Sequence, residues 1–183
     1  MAEPLLIFSQ AIEGLVVRAL SGSVSPELKA QLRAVGVDLD KPLLPAYPRE
    51  TWARCIALCA RATYPGEPNE VAWLKLGERM IDGYQETFIG RAMFGTLKLL
   101  GPRRMLSRTQ RTFRSANNYT EVRLTEVSPT QVDLWINEVD DGLRHFTLGL
   151  VLAGMRAAGA SGVQGSILST DAQGVTFRTS WRE

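Results

Sequence analysis

The sequence predicts an α+β protein: a helical N-terminal half packed on a four-stranded antiparallel sheet, in ββαββ order, in the C-terminal half. Three observations carry this. Apolar residues recur at spacings of three and four from Leu5 to Phe113, the period of a helix face. From Val122 the period drops to two, that of a half-buried strand. Helices and strands are also segregated along the chain rather than alternating. A length of 183 residues fits one domain, read as 1–183 with a helical subregion 1–116 and a ββαββ subregion 117–183.

Leu5, Phe8, Ile12, Leu15 and Ala19 predict a first helix, widened by Val16 and Leu20 and ended by Ser21-Gly22-Ser23. Ser25-Pro26 supplies an N-cap followed by proline at the first helical position. Leu28, Leu32 and Val35 form a short stripe, and Gly36 is placed to cap its end. The stretch 37–48 holds Pro42, Pro45 and Pro48 and reads as an ordered loop. A third helix starts near Pro48 and runs to about Thr63, stopped by Pro65-Gly66. Asn69 can cap a fourth, along which Trp73, Leu76, Met80, Tyr84 and Phe88 keep helical spacing, with Val71 and Ile81 alongside. The pattern continues through Met93, Leu97 and Leu100. Gly83, Gly90 and Gly95 weaken it, which predicts one bent helix or two stacked ones, broken between Thr87 and Gly90. Pro102 opens a further helix from about Arg103 to Phe113, and Asn117-Asn118 closes the helical half.

In the C-terminal half, Val122 and Leu124 alternate with Glu121, Arg123 and Thr125. Val132, Leu134 and Ile136 alternate with Asp133 and Trp135. With Ser128-Pro129-Thr130 between them, these runs predict a hairpin with one apolar face. A helix follows from about Leu143 to Ala158, with Leu148, Val151, Leu152 and Met155 as its stripe and Gly159 at its end. Val163 to Ser169 is a weak strand. Val175, Phe177, Thr179 and Trp181 form a clean final one.

Composition narrows the function. Hydrophobic residues make up 45% and charged residues 22%, which excludes a disordered chain or a disulfide-rich miniprotein. A net charge of +2 excludes a polycation that coats nucleic acid. Cys55 and Cys59 stand at i and i+4 on an apolar face with Trp52 and Ile56, so they read as buried thiols. A metal site needs more ligands than this pair and the single histidine, His145. The stretch from Pro4 to Leu20 lacks a basic start and a cleavage site, and Glu13 and Arg18 interrupt it. It is too short and too charged to span a bilayer, so the expected location is cytoplasmic.

The segment Leu39-Asp-Lys-Pro-Leu-Leu-Pro-Ala-Tyr-Pro-Arg-Glu-Thr-Trp52 looks like the entry segment of a myxobacterial paralogous family. A second block, Phe113-Arg-Ser-Ala-Asn-Asn-Tyr-Thr-Glu-Val-Arg-Leu-Thr-Glu126, and a shorter one, Leu99-Leu-Gly-Pro-Arg-Arg104, match it as well. Its members are chains of about two hundred residues that carry a domain-of-unknown-function label, so the resemblance implies no activity. More distantly, the order of elements, with a closing hairpin ending in Phe177-x-x-x-Trp181, is similar to the vinyl-reductase-type ligand-binding domains. Those are related to haem nitric-oxide sensors and small vesicle-tethering subunits. This resemblance implies a non-catalytic module that holds a small hydrophobic ligand or serves as an assembly platform, often dimeric. Shared fold is only an analogy for function. The haem sensors ligate iron through a histidine in the helical half, whereas His145 lies between the two hairpins. Their Tyr-x-Ser-x-Arg clamp is absent, as are the cysteines that vinyl-reductase-type domains often carry near the last hairpin. The resemblance therefore implies the fold without haem.

Charge segregation is the most informative local feature. Between Thr87 and Thr120 there is no acidic residue, while Arg91, Lys98, Arg103, Arg104, Arg108, Arg111 and Arg114 are basic. Arg104, Arg108 and Arg111 at i, i+4 and i+7 line one face of a helix, flanked by Arg103 and Arg114. Leu106, Thr109 and Phe113 face inward. The arginine fork suits carboxylates and phosphates. Arg103, Arg104, Arg108, Arg111 and Arg114 are thus the candidate anion-binding or partner-binding residues. The competing reading pairs them with the acids that follow: Glu121, Glu126, Asp133, Glu138, Asp140 and Asp141. Nucleic acid is disfavoured, since no exposed aromatics interleave the arginines and no groove-reading motif is present.

Tyr84, Phe88, Asn117, Tyr119, Trp135, Gly149 and Trp181 are the candidates for a ligand pocket. Against this, the aromatics read as ordinary core, Asn117-Asn118 as a structural joint, and Gly149 as a small residue that lets the late helix lie flush on the sheet. Glu138, Asp140 and Asp141 read as a solvated acidic turn, and His145 as a surface or capping residue. No nucleophile–base pair can be located. The expectation is a non-enzymatic regulatory or assembly module that binds an acidic protein partner through the arginine helix, with a homodimer left open. No cofactor and no metal are expected. The alternative is a sensor of a small hydrophobic ligand, without haem.

Overall fold

A computed structural model describes residues 3–182, the side chains of Ile89 and Leu100 excepted; Leu100, expected to extend an apolar stripe, lies outside it. The predicted α+β order is observed. The helical half comprises β1 (Leu6–Phe8), α1 (Ser9–Ile12), a π-helix (Glu13–Ala19), α2 (Pro26–Ala34), β2 (Ala46–Pro48), α3 (Arg49–Thr63), α4 (Asn69–Gln85), α5 (Phe88–Ser107) and α6 (Thr109–Arg114). The second half comprises β3 (Val122–Ser128), β4 (Gln131–Ile136), α7 (Asp141–Ala157), β5 (Ser161–Thr170) and β6 (Val175–Arg182).

The first segment differs from expectation. The chain enters as a strand, with β1 antiparallel to β2, and becomes helical only at Ser9. Tertiary partners override the helical period here. Leu6 N–H donates to the Asn118 side chain at 2.8 Å, and Phe8 N–H to the Ala116 carbonyl at 2.7 Å. Leu5 is consequently exposed. The following turns widen to a π-helix, in which Leu20 N–H reaches the Leu15 carbonyl. The 37–48 loop ends in β2, which was not anticipated. Ser25 caps α2 through the Leu28 N–H at 3.1 Å, as its sequence requires. Asn69 is the first residue of α4 rather than its cap. The break between α4 and α5 falls at Glu86 and Thr87, at the near edge of the expected window, with Gly83, Gly90 and Gly95 all helical; Thr87 caps α5 by accepting from Gly90 N–H at 2.9 Å.

The sheet runs β3-β4-β6-β5, all antiparallel. Its central pair sets Leu134 opposite Phe177 and Ile136 opposite Val175, so the apolar face is continuous. Both outer strands break register: β3 between Glu126 and Ser128, β5 near Gln164 and again near Ser169.

Two apolar clusters result. One lies among α1, the π-helix, α2, α3 and α4, and takes in Cys55 and Cys59, both fully buried. Burial pushes each thiol up to about 12. The other lies against the sheet, around Phe177, Leu134 and Met155. Helices α4 and α7 belong to both. Leu76 and Met80 of α4 and Leu143 and Phe146 of α7 enter the first, whereas Tyr84, Leu148, Val151 and Met155 enter the second. Trp52 meets Phe146 edge-on, with ring centroids 5.9 Å apart.

The two shared helices cross with backbones in contact. A Cβ at Gly77 would overlap the Phe146 carbonyl oxygen, and one at Gly149 would overlap the Leu74 carbonyl oxygen. Gly83 sits equally close to the π-helix backbone at Gly14 and Ala19. By contrast, nothing lies within 4 Å of a Cβ built on Gly95. Gly77→Ala and Gly149→Ala should each destabilise by about 1–3 kcal/mol through overpacking. For a chain of this size that lowers the melting temperature by about 2–4 °C per kcal/mol. Gly95→Ala should raise it, by the helix-propensity gain of up to about 1 kcal/mol. Thermal melts followed by circular dichroism check both, and an unchanged melt of Gly149→Ala would refute the close crossing.

Candidate functional site

The arginine-bearing segment is not one helix. Gly101 adopts φ 78° and breaks α5 just before Pro102, as a positive φ and a following proline dictate. Arg108 is itself the non-helical joint to α6. Arg104, Arg108 and Arg111 therefore occupy a terminal turn, a joint and a short helix, not one straight face. The inward residues are as expected: Leu106 and Thr109 are buried and Phe113 is half-buried.

The structure sorts the five candidate arginines. Arg103 grips both oxygens of Glu126, its Nε 3.1 Å from Oε1. Arg114 donates from Nε to the Thr120 carbonyl at 2.9 Å and also to the Asn118 carbonyl. Arg104, Arg108 and Arg111 are exposed, and among the described residues none forms an ion pair. Four of the nearby acids are engaged elsewhere, and Glu121 is exposed without an ion pair among the described residues. Asp133 pairs with Arg178 at 2.8 Å, which holds its carboxyl below the usual range. Glu138 pairs with Arg49, Asp141 pairs with Arg144, and Asp140 caps α7. Of the six acids that could have neutralised the patch, Glu126 alone forms an ion pair with it.

Beside the free arginines lies an open groove of about 420 Å³ between α5 and α6. It is lined by Phe88, Ala92, Met93, Thr96, Leu97, Arg108, Arg111, Thr112 and Ser115. Phe88 is 83% exposed and Leu99 88%. Phe88 is thus neither core nor inner pocket wall: it is the first residue of α5, on the helix face turned away from buried Phe94 and Leu97.

The predicted ligand-pocket residues do not converge. Tyr84 lines an apolar void of about 70 Å³ with Met80, Phe94, Leu97 and Met105. Its hydroxyl is buried without a hydrogen-bond partner, and burial raises its pKa. Asn117 and Tyr119 line a second void of about 60 Å³ with Trp52, Phe146 and Glu138. Trp135 is on the outer face of the sheet under Arg123, 4.3 Å from its ring centroid, since strand alternation turns it away from Leu134 and Ile136. Gly149 abuts the α4 backbone, not the sheet as expected, which leaves no space there, and Trp181 belongs to the sheet core. Asn117 and Asn118 form a joint. The Asn117 side chain accepts from Tyr119 N–H at 3.0 Å and Thr120 N–H at 2.8 Å, while Asn118 donates to the Pro4 carbonyl and accepts from Leu6 N–H.

The acidic turn is not solvated as expected, because Glu138 is buried. Its carboxylate takes the Arg49 guanidinium and the Asp140 N–H at 3.0 Å. Desolvation still outweighs these partners and raises its pKa. Arg49 also lies 5.9 Å from the Tyr119 ring centroid. Tyr119 is raised too, by burial first and by the Glu138 charge second. This cluster ties the start of α3 to the strand-to-α7 turn. Sequence reasoning missed it, because Arg49 and Glu138 are far apart in the chain. It also missed the exposed apolar ridge of α5, although Phe88, Ala92 and Leu99 at helical spacing were legible in the sequence.

A family model described as "Protein of unknown function (DUF2378)" matches residues 5–182. The chain belongs to the DUF2378 family. A comparison with curated protein sequences returns no match. Among solved structures, this DUF2378 chain is similar to the Fe(II) unliganded H-NOX protein from K. algicida, at 13% identity and TM-score 0.62, over 96% of both chains. It is similar to an oxygen-binding H-NOX domain related to soluble guanylate cyclases, at 16% identity and TM-score 0.59, over 96% of this chain and 93% of that one. It is also similar to a protein studied for haem redox potential and porphyrin distortion, at 14% identity and TM-score 0.60, with 96% and 93% covered. At these identities the likeness is one of fold.

Haem does not fit the DUF2378 residues. The single histidine, His145, lines an outer cleft with Asn69, Trp73 and Asp141, not either inner void. Neither void is lined by histidine or cysteine, and at about 70 and 60 Å³ both fall far below a porphyrin's volume. Pockets for drug-sized ligands alone run to about 300–1,000 Å³. Among the described residues no group of three or more His, Cys, Asp or Glu side chains could hold a metal ion.

The Arg49–Glu138 pair sets a pH dependence. A carboxyl whose folded pKa exceeds its unfolded one contributes stability that is present below the unfolded pKa and is lost as pH rises through the folded pKa. Arg49→Met removes the charge opposing that rise, so it should cost about 3–5 kcal/mol at neutral pH by leaving a buried carboxylate unpaired. Part of that loss should return on acidification as Glu138 takes up a proton. Urea denaturation at pH values either side of the carboxylate range checks this, and an equal loss at both would refute it.

Proposed function

We propose that this DUF2378 chain is a non-enzymatic regulatory or assembly module that binds an acidic protein partner through Arg104, Arg108 and Arg111. One observation carries the reading: these three guanidinium groups are exposed and have no ion pair among the described residues, while the neighbouring Arg103 and Arg114 are engaged internally. An unneutralised arginine cluster draws in carboxylates and speeds association. The fold likeness to H-NOX domains supports a ligand-binding or sensing ancestry for the scaffold. Sensing of a small hydrophobic ligand without haem needs an enclosed volume larger than either inner void supplies. The open arginine surface makes no such demand. Among the described residues no helix is long and apolar enough to cross a membrane.

Affinity capture with the wild-type chain as bait should enrich proteins of low isoelectric point. The Arg104→Glu, Arg108→Glu, Arg111→Glu triple variant should lose them with its circular dichroism and melting temperature intact, because all three side chains are exposed. Equal recovery by a folded triple variant would overturn the reading.

A further inference from the structure

We propose that the outer face of α5 and the groove between α5 and α6 receive an acidic amphipathic helix of a partner protein. Its apolar residues would seat on Phe88, Ala92 and Met93, and its carboxylates would meet Arg108 and Arg111. This rests on the acidic-partner reading above and adds the shape of what docks.

The first argument is that α5 is apolar on two faces. Phe94 and Leu97 turn inward and are buried. Phe88, Ala92, Gly95 and Leu99, at i, i+4, i+7 and i+11, form a ridge on the opposite side, and all four are exposed. Arg91 and Lys98 edge this ridge, and a contiguous exposed apolar patch rimmed by polar residues marks an interaction site. The second is concavity. The groove holds about 420 Å³, room for a row of side chains from one helix, and Met93 in its wall can reshape to fit them. The third is charge. Arg108 and Arg111 stand on the rim of this apolar groove, and no acid occurs from Thr87 to Thr120.

These features select among occupants. A second copy of this chain, related by a two-fold axis through the groove, would set arginine against arginine. A flat anionic bilayer would satisfy the arginines but leave the groove unfilled. An amphipathic helix with an acidic flank fills the groove, covers Phe88 and meets the rim charges together.

The experiment is fluorescence anisotropy with a labelled synthetic helix that carries leucines on one face and glutamates on the flanks, and with a scrambled peptide of the same composition. The ordered helix should bind, and the scramble should bind about tenfold more weakly, as loss of a seated apolar anchor implies. Phe88→Ser should weaken the ordered helix by a similar factor without lowering the melting temperature, and Arg108→Glu with Arg111→Glu should abolish binding of both peptides. Equal binding of the two peptides, unchanged by Phe88→Ser, would overturn the groove proposal while the acidic-partner reading stood. Binding of neither would overturn both. Two further results would give the face another occupant and overturn the proposal: capture by phosphatidylserine vesicles in place of the peptide, or a Phe88-dependent dimer in sedimentation.

Discussion

The contact on which the rest depends is the crossing of α4 over α7. Gly77 and Gly149 are the positions at which each backbone touches the other, so the two helices approach more closely than any side chain would allow. Because α4 and α7 each supply residues to both apolar clusters, this single crossing fixes the helical half relative to the sheet. Packed interiors respond to steric change by shifting whole elements rather than by yielding locally. The angle at this crossing therefore sets the width of the space between the halves. Here that space is filled, leaving two small voids. An architecture similar to that of H-NOX structures thus has a nearly filled interior in this chain.

Outside the interior, the surface charges are unevenly distributed. The chain is nearly neutral overall, yet its charges are unevenly spent. Glu138 is committed to Arg49, Asp133 to Arg178 and Glu126 to Arg103. The stretch without acids around α5 and α6 therefore keeps an uncompensated surplus. The break at Gly101 and the joint at Arg108 spread that surplus around a corner, and Arg108 and Arg111 come to edge the groove.

Much of this was legible in the sequence. The change of period at Val122, the Ser25-Pro26 cap and the strand alternation of Val175, Phe177, Thr179 and Trp181 are local signals, and the structure follows them. What was not legible depends on partners distant in the chain. Leu5 to Phe8 carries a helical spacing, but Asn118 and β2 supply hydrogen bonds that draw it into a strand. Glu138 sits in a turn of acids that looks solvated until Arg49 arrives from the start of α3. The candidate pocket failed for a related reason. Aromatic residues mark burial, but not which of several interiors they enter, and Phe88 and Trp135 enter none. The arginine run was visible as composition; which members are free depended on where Glu126 and the Thr120 carbonyl fall in space.

The register breaks in the two outer strands have a consequence for how the molecule behaves in a crowd. A regular strand with an open flank invites another chain to add on, and so seeds polymerisation. Here β3 slips at Glu126 and β5 slips twice, so neither flank offers a straight row of donors and acceptors for an incoming strand to copy. The sheet ends at four strands by its own geometry, and self-association through the β layer is discouraged at both borders.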